Sequence, residues 1–469
     1  MADDFCACST PGGKSGIAVI RISGVDHASF LDDAVKIIRT GSDASSVSEM
    51  PGYTTALADF KDPATGEVID RVIISRYKAP HSYTGQDLTE ISCHGGDAVR
   101  QEILRVLYEG GIRPAAPGEF TKTAFINGKI GLSEAEAVMG VINAESKRAL
   151  SASGSQLAGA LSEKLSAVEE ELYKALSLIE MIVEFPEHDD TPENTGRVRE
   201  IIEGSCKTVR QLEKSYAKGR MLTNRMNVVL TGAPNSGKST LLNVLAGFER
   251  AIVTDIPGTT RDTLDLQIEV EGIPVTVTDT AGLRRTEDEV EAIGVERAGK
   301  AIENADLIFL LIAPDETQED AKEKADIIAA AGKAPDTIPV FSKSDEDTNI
   351  YKDSISSYAK GKNMMDSIVI SARDEESIDT VRKCIVRCYE EAGGLTGTEI
   401  TVMSERHRDL LYSAAGKLGE AMSVIDDGLG IDIASSVIRS ALDDIGSITG
   451  KNVSTELVNR IFSDFCIGK

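Results

Sequence analysis

The chain has 469 residues, too many for one hydrophobic core, so about three domains are expected. Hydrophobic residues make up 41% and charged residues 27%, the balance of a soluble globular protein, and no apolar run approaches the roughly 20 residues of a membrane helix. A formal net charge of −26 opposes broad electrostatic binding to nucleic acid or anionic membranes, so any RNA substrate must meet a local basic patch or be presented by a partner.

The start, Met1-Ala-Asp-Asp-Phe5, lacks the basic and apolar regions of a signal peptide. Cysteines 6, 8, 93, 206, 384, 388 and 466 are scattered, with no second pair or histidine cluster at zinc spacing. A reduced, cytoplasmic protein with no membrane association is expected.

Residues 1–128 read as an α+β domain. Gly16 to Ser23, Thr54 to Phe60, Val68 to Tyr77 and Leu88 to Cys93 have strand patterns, and His27 to Arg39 has helical apolar spacing. A helix from Asp97 to Tyr108 follows His94-Gly-Gly96. Arg21, Glu90, His94, Glu119 and Lys129 fall at the ends of these elements, either as surface and capping groups or as the lining of a small-molecule pocket.

Residues 129–220 are helical in pattern. Ser133 and Glu136 form a capping-box signature, and Leu157 to Val183 repeats apolar residues at steps of three and four. Phe185 to Pro192 breaks that helix, and a second one carries Val198, Ile202, Val209 and Leu212 on one face.

Residues 221–392 alternate strands and helices, as an α/β nucleotide-binding domain with a largely parallel sheet does. Residues 393–469 return to helix, with Ser454 as a start signal for the last one. One helical domain built from both flanking segments, with the nucleotide domain inserted, is the economical architecture.

The inserted domain opens on Gly232-Ala-Pro-Asn-Ser-Gly-Lys-Ser-Thr240, a G-x-x-x-x-G-K-S loop between a strand at Met226 to Leu230 and a helical pattern at Leu241 to Leu245. Backbone N–H groups around Asn235, Ser236 and Gly237 and the helix N-terminus suit phosphate, Lys238 the outer phosphates, and Ser239 Mg²⁺, with Thr240 next in the helix. Asp279-Thr280-Ala281-Gly282 follows a strand, where the aspartate can hold Mg²⁺ through water and the glycine N–H can sense the γ-phosphate. Thr259 and Thr260 lie in the loop Asp255-Ile256-Pro257-Gly258-Thr259-Thr260, and one hydroxyl can complete the Mg²⁺ shell.

Ser342-Lys343-Ser344-Asp345 stands where GTPases carry N-K-x-D, and Ser371-Ala372-Arg373 where they carry S-A-x. A carboxylate such as Asp345 accepts from guanine N1–H and the exocyclic amine, a discrimination on the order of 2–5 kcal/mol over adenine. Four motifs in order indicate a GTPase. Ser342 replaces the asparagine whose amide ties this motif to the phosphate loop, which implies weaker affinity or selectivity. Leu283 cannot orient an attacking water as glutamine does, so another group or a partner must; the acidic run Glu287, Asp288, Glu289 and Glu291 offers candidates or is a solvated helix start.

On these motifs and others along the chain, the sequence resembles the tRNA modification GTPase family MnmE (TrmE). The C-terminal Phe465-Cys-Ile-Gly-Lys469 is similar to its terminal signature, and Gly16 to Gly24, Tyr83 to Glu90, His94-Gly-Gly96 and Pro117 to Phe120 are similar to its N-terminal domain. The resemblance implies a homodimer through an N-terminal domain like folate-binding aminomethyltransferase modules, an inserted Ras-like P-loop GTPase domain, and a 5,10-methylene- or 5-formyl-tetrahydrofolate contacted by Arg21, Glu90, Lys129 and Lys469.

It also implies a K⁺ site at Asn235, Thr254, Ile256 and Thr259, Mg²⁺ at Ser239 and Thr260, and Glu291 as the water-orienting group. Potassium beside the phosphates then supplies charge that an arginine finger gives elsewhere. Family members act with an FAD-containing partner, MnmG, to add an aminomethyl or carboxymethylaminomethyl group at C5 of the wobble uridine of certain tRNAs. Cys466 suits a nucleophile by type or, as a free cysteine on an apolar helix, packing. Two other classes share the nucleotide motifs: a regulatory GTPase switch for ribosome assembly and a GTP-binding scaffold with little hydrolysis.

Overall fold

The computed structural model describes residues 4–185, 191–223, 225–248, 265–279, 299–344, 351–371, 373–391 and 400–469, which fall into two units. The first comprises Met1–Met139, Gln156–Leu176 and Ser435–Lys469, the second Gly140–Ser155 and Ser177–Ala434.

The first unit is built on β1 (Phe5–Cys8), β2 (Ser15–Gly24), β3 (Val35–Thr40), β4 (Thr54–Lys61), β5 (Val68–Tyr77), β6 (Asp87–Gly95) and β7 (Arg113–Pro114), in the order β3-β4-β5-β6-β2-β1-β7. Only the β1–β7 pairing is parallel. Successive side chains alternate faces, so Ile20, Ile22, Ala56, Ala58, Val72, Ile74 and Ile91 share one core with Leu31, Ile103 and Leu107 of α1 (His27–Ala34) and α2 (Asp97–Glu109). Helical spacing over His27 to Arg39 thus holds only as far as Ala34. The chain then turns into β3, whose β-branched Val35, Ile37 and Ile38 suit pairing with β4.

The opposite face presents Arg21, Glu90 and Ser75 in one cross-strand row, and Val19, Ser92, Ile73 and Leu57 in the next. After β7 comes the short helix α3 (Glu119–Ile126).

Four helices follow: α4 (Leu132–Ile142), α5 (Lys147–Leu157), α6 (Ala160–Glu184) and α7 (Pro192–Thr223). Ser133 is not a cap, because α4 begins one residue earlier; its hydroxyl instead meets Ser162 Oγ at 2.8 Å. The single amphipathic helix expected from Leu157 onward starts at Ala160, after a break that separates it from α5.

In the second unit β8 (Met226–Gly232), β9 (Asp265–Val270), β10 (Ile273–Asp279), β11 (Leu307–Ile312), β12 (Thr337–Phe341) and β13 (Ile368–Val369) form a sheet ordered β13-β12-β11-β8-β10-β9. All neighbours are parallel except the β9–β10 hairpin. Its strands read as continuous apolar runs because both faces are covered. α8 (Lys238–Phe248) packs on one face and α9 (Gln318–Ala330) and α10 (Lys352–Gly361) on the other, while α11 (Glu375–Glu391) joins the α8 side.

α12 (Glu405–Asp426) lies against α7, with Arg199 pairing Asp426 at 2.7 Å and Cys206 Sγ 3.6 Å from the Ala415 carbonyl. Helices before and after the nucleotide domain therefore do pack together. α13 (Ile431–Thr449) and α14 (Thr455–Ser463) return the chain to the first unit, and Ser454 caps α14 by accepting from Leu457 N at 3.2 Å.

Candidate functional site

β8 ends at Gly232, paired with Leu311 of β11, and the loop that follows turns into the N-terminus of α8. Asn235 holds φ +65°, a left-handed conformation that asparagine tolerates better than most residues. Lys238 Nζ donates to the carbonyls of Gly232 at 3.1 Å and Ala233 at 2.8 Å, which aims the ammonium into the loop. Burial pushes its pKa below the ordinary lysine value; Asp279 opposes that shift and Lys324 adds to it. A bound phosphate anion would favour the charged form.

Ser239 Oγ donates to Asp279 Oδ2 at 3.1 Å, so two separate motifs meet. Asp279 Oδ1 and Ser236 Oγ are buried without a partner among the described residues. A hydroxyl and a carboxylate oxygen beside a phosphate cradle are the hard donors that Mg²⁺ takes, and this set fits that ion.

Ser342 follows β12 and is 3% exposed. Its N–H and hydroxyl both donate to the Ile312 carbonyl, at 3.0 and 3.2 Å. Its Cβ is 3.9 Å from where a Cβ on Gly237 would stand, so the side chain abuts the phosphate loop without bonding to it. Ser344 N donates to Ile370 O at 3.1 Å, which brings this segment next to Ser371. Ser371 N is held by Ser377 Oγ at 3.0 Å, and Ser371 Oγ accepts from Arg373 N at 3.3 Å. Lys343 has φ +54°. Thr240 is exposed in the first turn of α8. Thr254, Asp255, Ile256, Pro257, Gly258, Thr259, Thr260, Thr280, Ala281, Gly282, Glu291, Asp345 and Ala372 lie outside the described residues.

The first unit holds a second constellation. Arg21 and Glu90, opposite each other on β2 and β6, form a salt bridge at 2.7 Å, with Arg21 Nε also 2.9 Å from the same oxygen. The guanidinium lies 5.4 Å from the Tyr83 ring centre and 5.6 Å from that of Phe120. Tyr83 Oη meets Thr121 Oγ1 at 2.9 Å, and Lys129 Nζ donates to Pro80 O at 3.0 Å.

Phe120 N donates to Lys469 O at 3.2 Å, Gly118 N to Cys466 O at 3.3 Å, and Ser9 Oγ to Gly468 O at 3.0 Å. The C-terminal residues thus sit beside Phe120, and Cys466 is exposed. His94 is elsewhere: four residues along β6 from Glu90, about 13 Å away, it pairs with Asp70 at 2.7 Å. Glu119 is committed to Arg113 at 2.5 Å.

Residues 132–466 match the model of the MnmE helical domain, and residues 4–129 match that of the GTP-binding protein TrmE N-terminus. The chain belongs to the MnmE family of tRNA modification GTPases. It is 40% identical over 468 residues to the tRNA modification GTPase MnmE of Caldicellulosiruptor saccharolyticus, covering 100% of this chain and 99% of that one. The MnmE of Lactobacillus helveticus is 37% identical over 100% of this chain and 98% of its own. Among solved structures, Aquifex aeolicus Era bound to GDP.AlF4⁻ is 27% identical and covers 42% of this chain and 66% of that one, with a TM-score of 0.30. As a member of the MnmE family, the chain is a GTP hydrolase acting in tRNA modification. No described helix is long and apolar enough to cross a membrane.

Several site residues escape a motif reading. Tyr83 and Phe120 sit inside quoted motifs, yet only the tertiary packing of a loop and of α3 shows that their rings flank Arg21. Lys324 occupies an apolar position of α9 and pairs with Glu316 at 2.5 Å, both nearly fully buried, where Lys324 bears on Lys238 electrostatically. A lysine on the buried stripe of an amphipathic helix is the one signal that betrays such a pair.

Proposed function

We propose that this MnmE-family chain works with an FAD-containing MnmG partner in the cytoplasm to install an aminomethyl or carboxymethylaminomethyl group at C5 of the wobble uridine of certain tRNAs. The observation that carries this reading is the gathering of Arg21, Glu90, Tyr83, Phe120 and the Lys469 backbone in one unit.

The constellation suits a tetrahydrofolate derivative, in its 5,10-methylene or 5-formyl form. Arg21 holds the Glu90 carboxylate, whose oxygens can accept from ring N–H groups, and the two aromatic rings offer stacking faces. Lys129 and Lys469 supply ammonium groups for the carboxylates of such a molecule. When bound, the folate would supply a one-carbon unit for the uridine. Exposed Cys466 serves as the thiolate nucleophile toward the pyrimidine carbon. Cys466→Ala should abolish modification and leave GTP turnover intact; full modification by that variant would remove the nucleophile role.

In the nucleotide domain, Lys238 neutralises the outer phosphates, and Ser239 with Thr260 would hold Mg²⁺. Asn235, Thr254, Ile256 and Thr259 would hold K⁺, which would supply positive charge toward the transferring phosphoryl group, and Glu291 orients water where Leu283 cannot. Asp345, with Ser342, Lys343, Ser344 and the Ser371-Ala372-Arg373 segment, reads guanine. Hydrolysis drives conformational cycling rather than the carbon chemistry. The sheet face bearing Arg21 also exposes Ile73 at 49% and Leu57 at 38%, which suits a homodimer through this domain.

Nucleoside mass spectrometry on tRNA from cells lacking the gene tests the reading as a whole. Loss of the modified wobble uridine is expected, and an unchanged nucleoside profile would overturn it in favour of a ribosome-assembly switch.

A further inference from the structure

A chain of net charge −26 repels a polyanion, so tRNA must be held where the local field reverses sign. α7 carries Lys207, Arg210 and Lys214 at spacings of three and four, which places them on one side of the helix. All three are exposed, and no described acidic side chain stands within ion-pair distance of any of them. Their neighbours are committed elsewhere. Arg199 pairs with Asp426 at 2.7 Å and with Glu203 at 3.0 Å, and Arg408 pairs with Glu405 at 3.0 Å and lies over the Tyr216 ring. Glu203 and Glu213 flank the stripe, the first held by Arg199 and the second partly buried.

The adjoining side of α7 fixes the stripe's orientation, and Arg210 lies at the border, its Nη2 3.6 Å from where a Cβ on Gly419 of α12 would stand. Val198, Ile202, Cys206, Val209 and Leu212 are buried, and Cys206 Sγ contacts the Ala415 carbonyl of α12 at 3.6 Å. Rotation that hid Lys207 and Lys214 would expose this apolar row, so the packing of α7 on α12 holds them toward solvent. From Lys207 to Lys214 the helix rises about 10 Å, enough to span two or three backbone phosphates. Lysine and arginine without acidic partners give up little on meeting a phosphate, because no existing ion pair has to be broken first.

We infer that the Lys207–Arg210–Lys214 face of α7 is a docking surface for the phosphate backbone of tRNA, an inference that rests on tRNA being the substrate. The contact is sequence-independent: it positions the substrate and leaves base recognition to other groups.

The test uses the full-length protein with Lys207→Gln, Arg210→Gln and Lys214→Gln combined, and unfractionated tRNA from cells lacking the gene. Affinity is measured by fluorescence anisotropy across a salt series, with and without the flavoprotein partner. The variant is expected to bind tRNA about tenfold more weakly, with the slope of log affinity against log salt reduced by about 2 to 3, one unit for each lost phosphate contact. GTP hydrolysis and thermal unfolding should stay as in the wild type, since the three side chains touch neither the nucleotide site nor the core. Wild-type affinity and slope in the variant would overturn the inference. So would a variant that keeps tRNA but loses the flavoprotein partner, which would make the stripe a protein-docking surface. Failure of the wild type itself to bind tRNA in either setting would overturn the substrate reading, and this inference with it.

Discussion

Ser342→Asn should tighten nucleotide binding, and the structure sets the size of the effect. Ser342 is 3% exposed and spends its hydroxyl on the Ile312 carbonyl, which its own N–H already satisfies at 3.0 Å. Losing that hydroxyl therefore leaves no acceptor unpaired. The phosphate loop lies close by, and among the described residues beyond its own turn a Cβ on Gly237 would find Ser342 Cβ alone within 4 Å, at 3.9 Å. An asparagine amide extends into that space with both a donor and an acceptor. One or two new hydrogen bonds at about 1 kcal/mol each would tie the loop to the guanine-reading segment. The loop would then be held in its binding conformation before nucleotide arrives, and the gain should appear as roughly 5- to 30-fold tighter GDP. Titration with a fluorescent guanine nucleotide measures this directly, with circular dichroism to establish that the variant is folded. A folded variant with unchanged or weaker affinity would refute the idea that the missing amide limits nucleotide binding.

Three further changes probe other parts of the chain. Asn235→Gly keeps the left-handed conformation at φ +65° while deleting the amide, so GTP binding should persist and K⁺ stimulation of turnover should vanish; equal turnover in K⁺ and Na⁺ by the wild type would dispose of the cation role. His27 is buried, with Arg76 Nη1 2.9 Å from its Nε2, and burial followed by the Arg76 charge lowers its pKa to about 3. Its unfolded form takes up a proton near pH 6.5, so the stability it confers is full above that pH and is lost as pH falls towards 3, by ~4 kcal/mol at about pH 3.5. His27→Gln should flatten that part of the urea-midpoint profile, and an identical acid slope in the variant would exclude His27 as its source. Gly468 has φ +94°, and a Cβ there would stand 2.6 Å from Cys8 O, so Gly468→Ala should undock the tail. Tetrahydrofolate affinity measured by calorimetry should drop roughly tenfold with GTP turnover unaltered, and wild-type affinity would sever the tail from that site.

The nucleotide domain is legible from sequence because its chemistry is local. A loop such as Gly232 to Thr240 carries its own backbone geometry, and its strand and helix follow directly on either side. The first unit is legible only in part. Strand alternation reveals β2 and β6, but the meeting of Arg21 with Glu90 depends on a register across 69 residues, which no local pattern encodes. The resemblance to a family supplies that pairing; periodicity does not. Errors cluster where propensities compete. Val35 to Thr40 carries apolar residues at helical spacing, yet β4 offers it a partner strand, and tertiary pairing wins. Lys324 escapes because burial of a charge is invisible until its partner Glu316 is in place.

The C-terminal tail shows why the nucleotide domain interrupts a helical segment instead of ending the chain. Ser9 and Gly468 are 459 residues apart and meet at 3.0 Å. Closing a flexible loop of that length costs about 5 kcal/mol before any constant term, whereas one hydrogen bond returns about 1 kcal/mol. The polar contacts of the tail cannot hold it in place alone. Most of the stabilisation must come from α14, whose Val458 and Phe462, with Phe465 just beyond, pack on Leu132, Ala135 and Phe125. Each buried large apolar side chain contributes roughly 1.5–3 kcal/mol, so a few of them outweigh the closure cost. Folding of the intervening elements shortens the effective loop further, because α7 and α12 already bring the segments before and after the nucleotide domain side by side. The position of Lys469 beside Phe120 is therefore a consequence of the helical packing. Any change that loosens α14 should be felt at the Arg21–Glu90 site before it is felt at the phosphate loop.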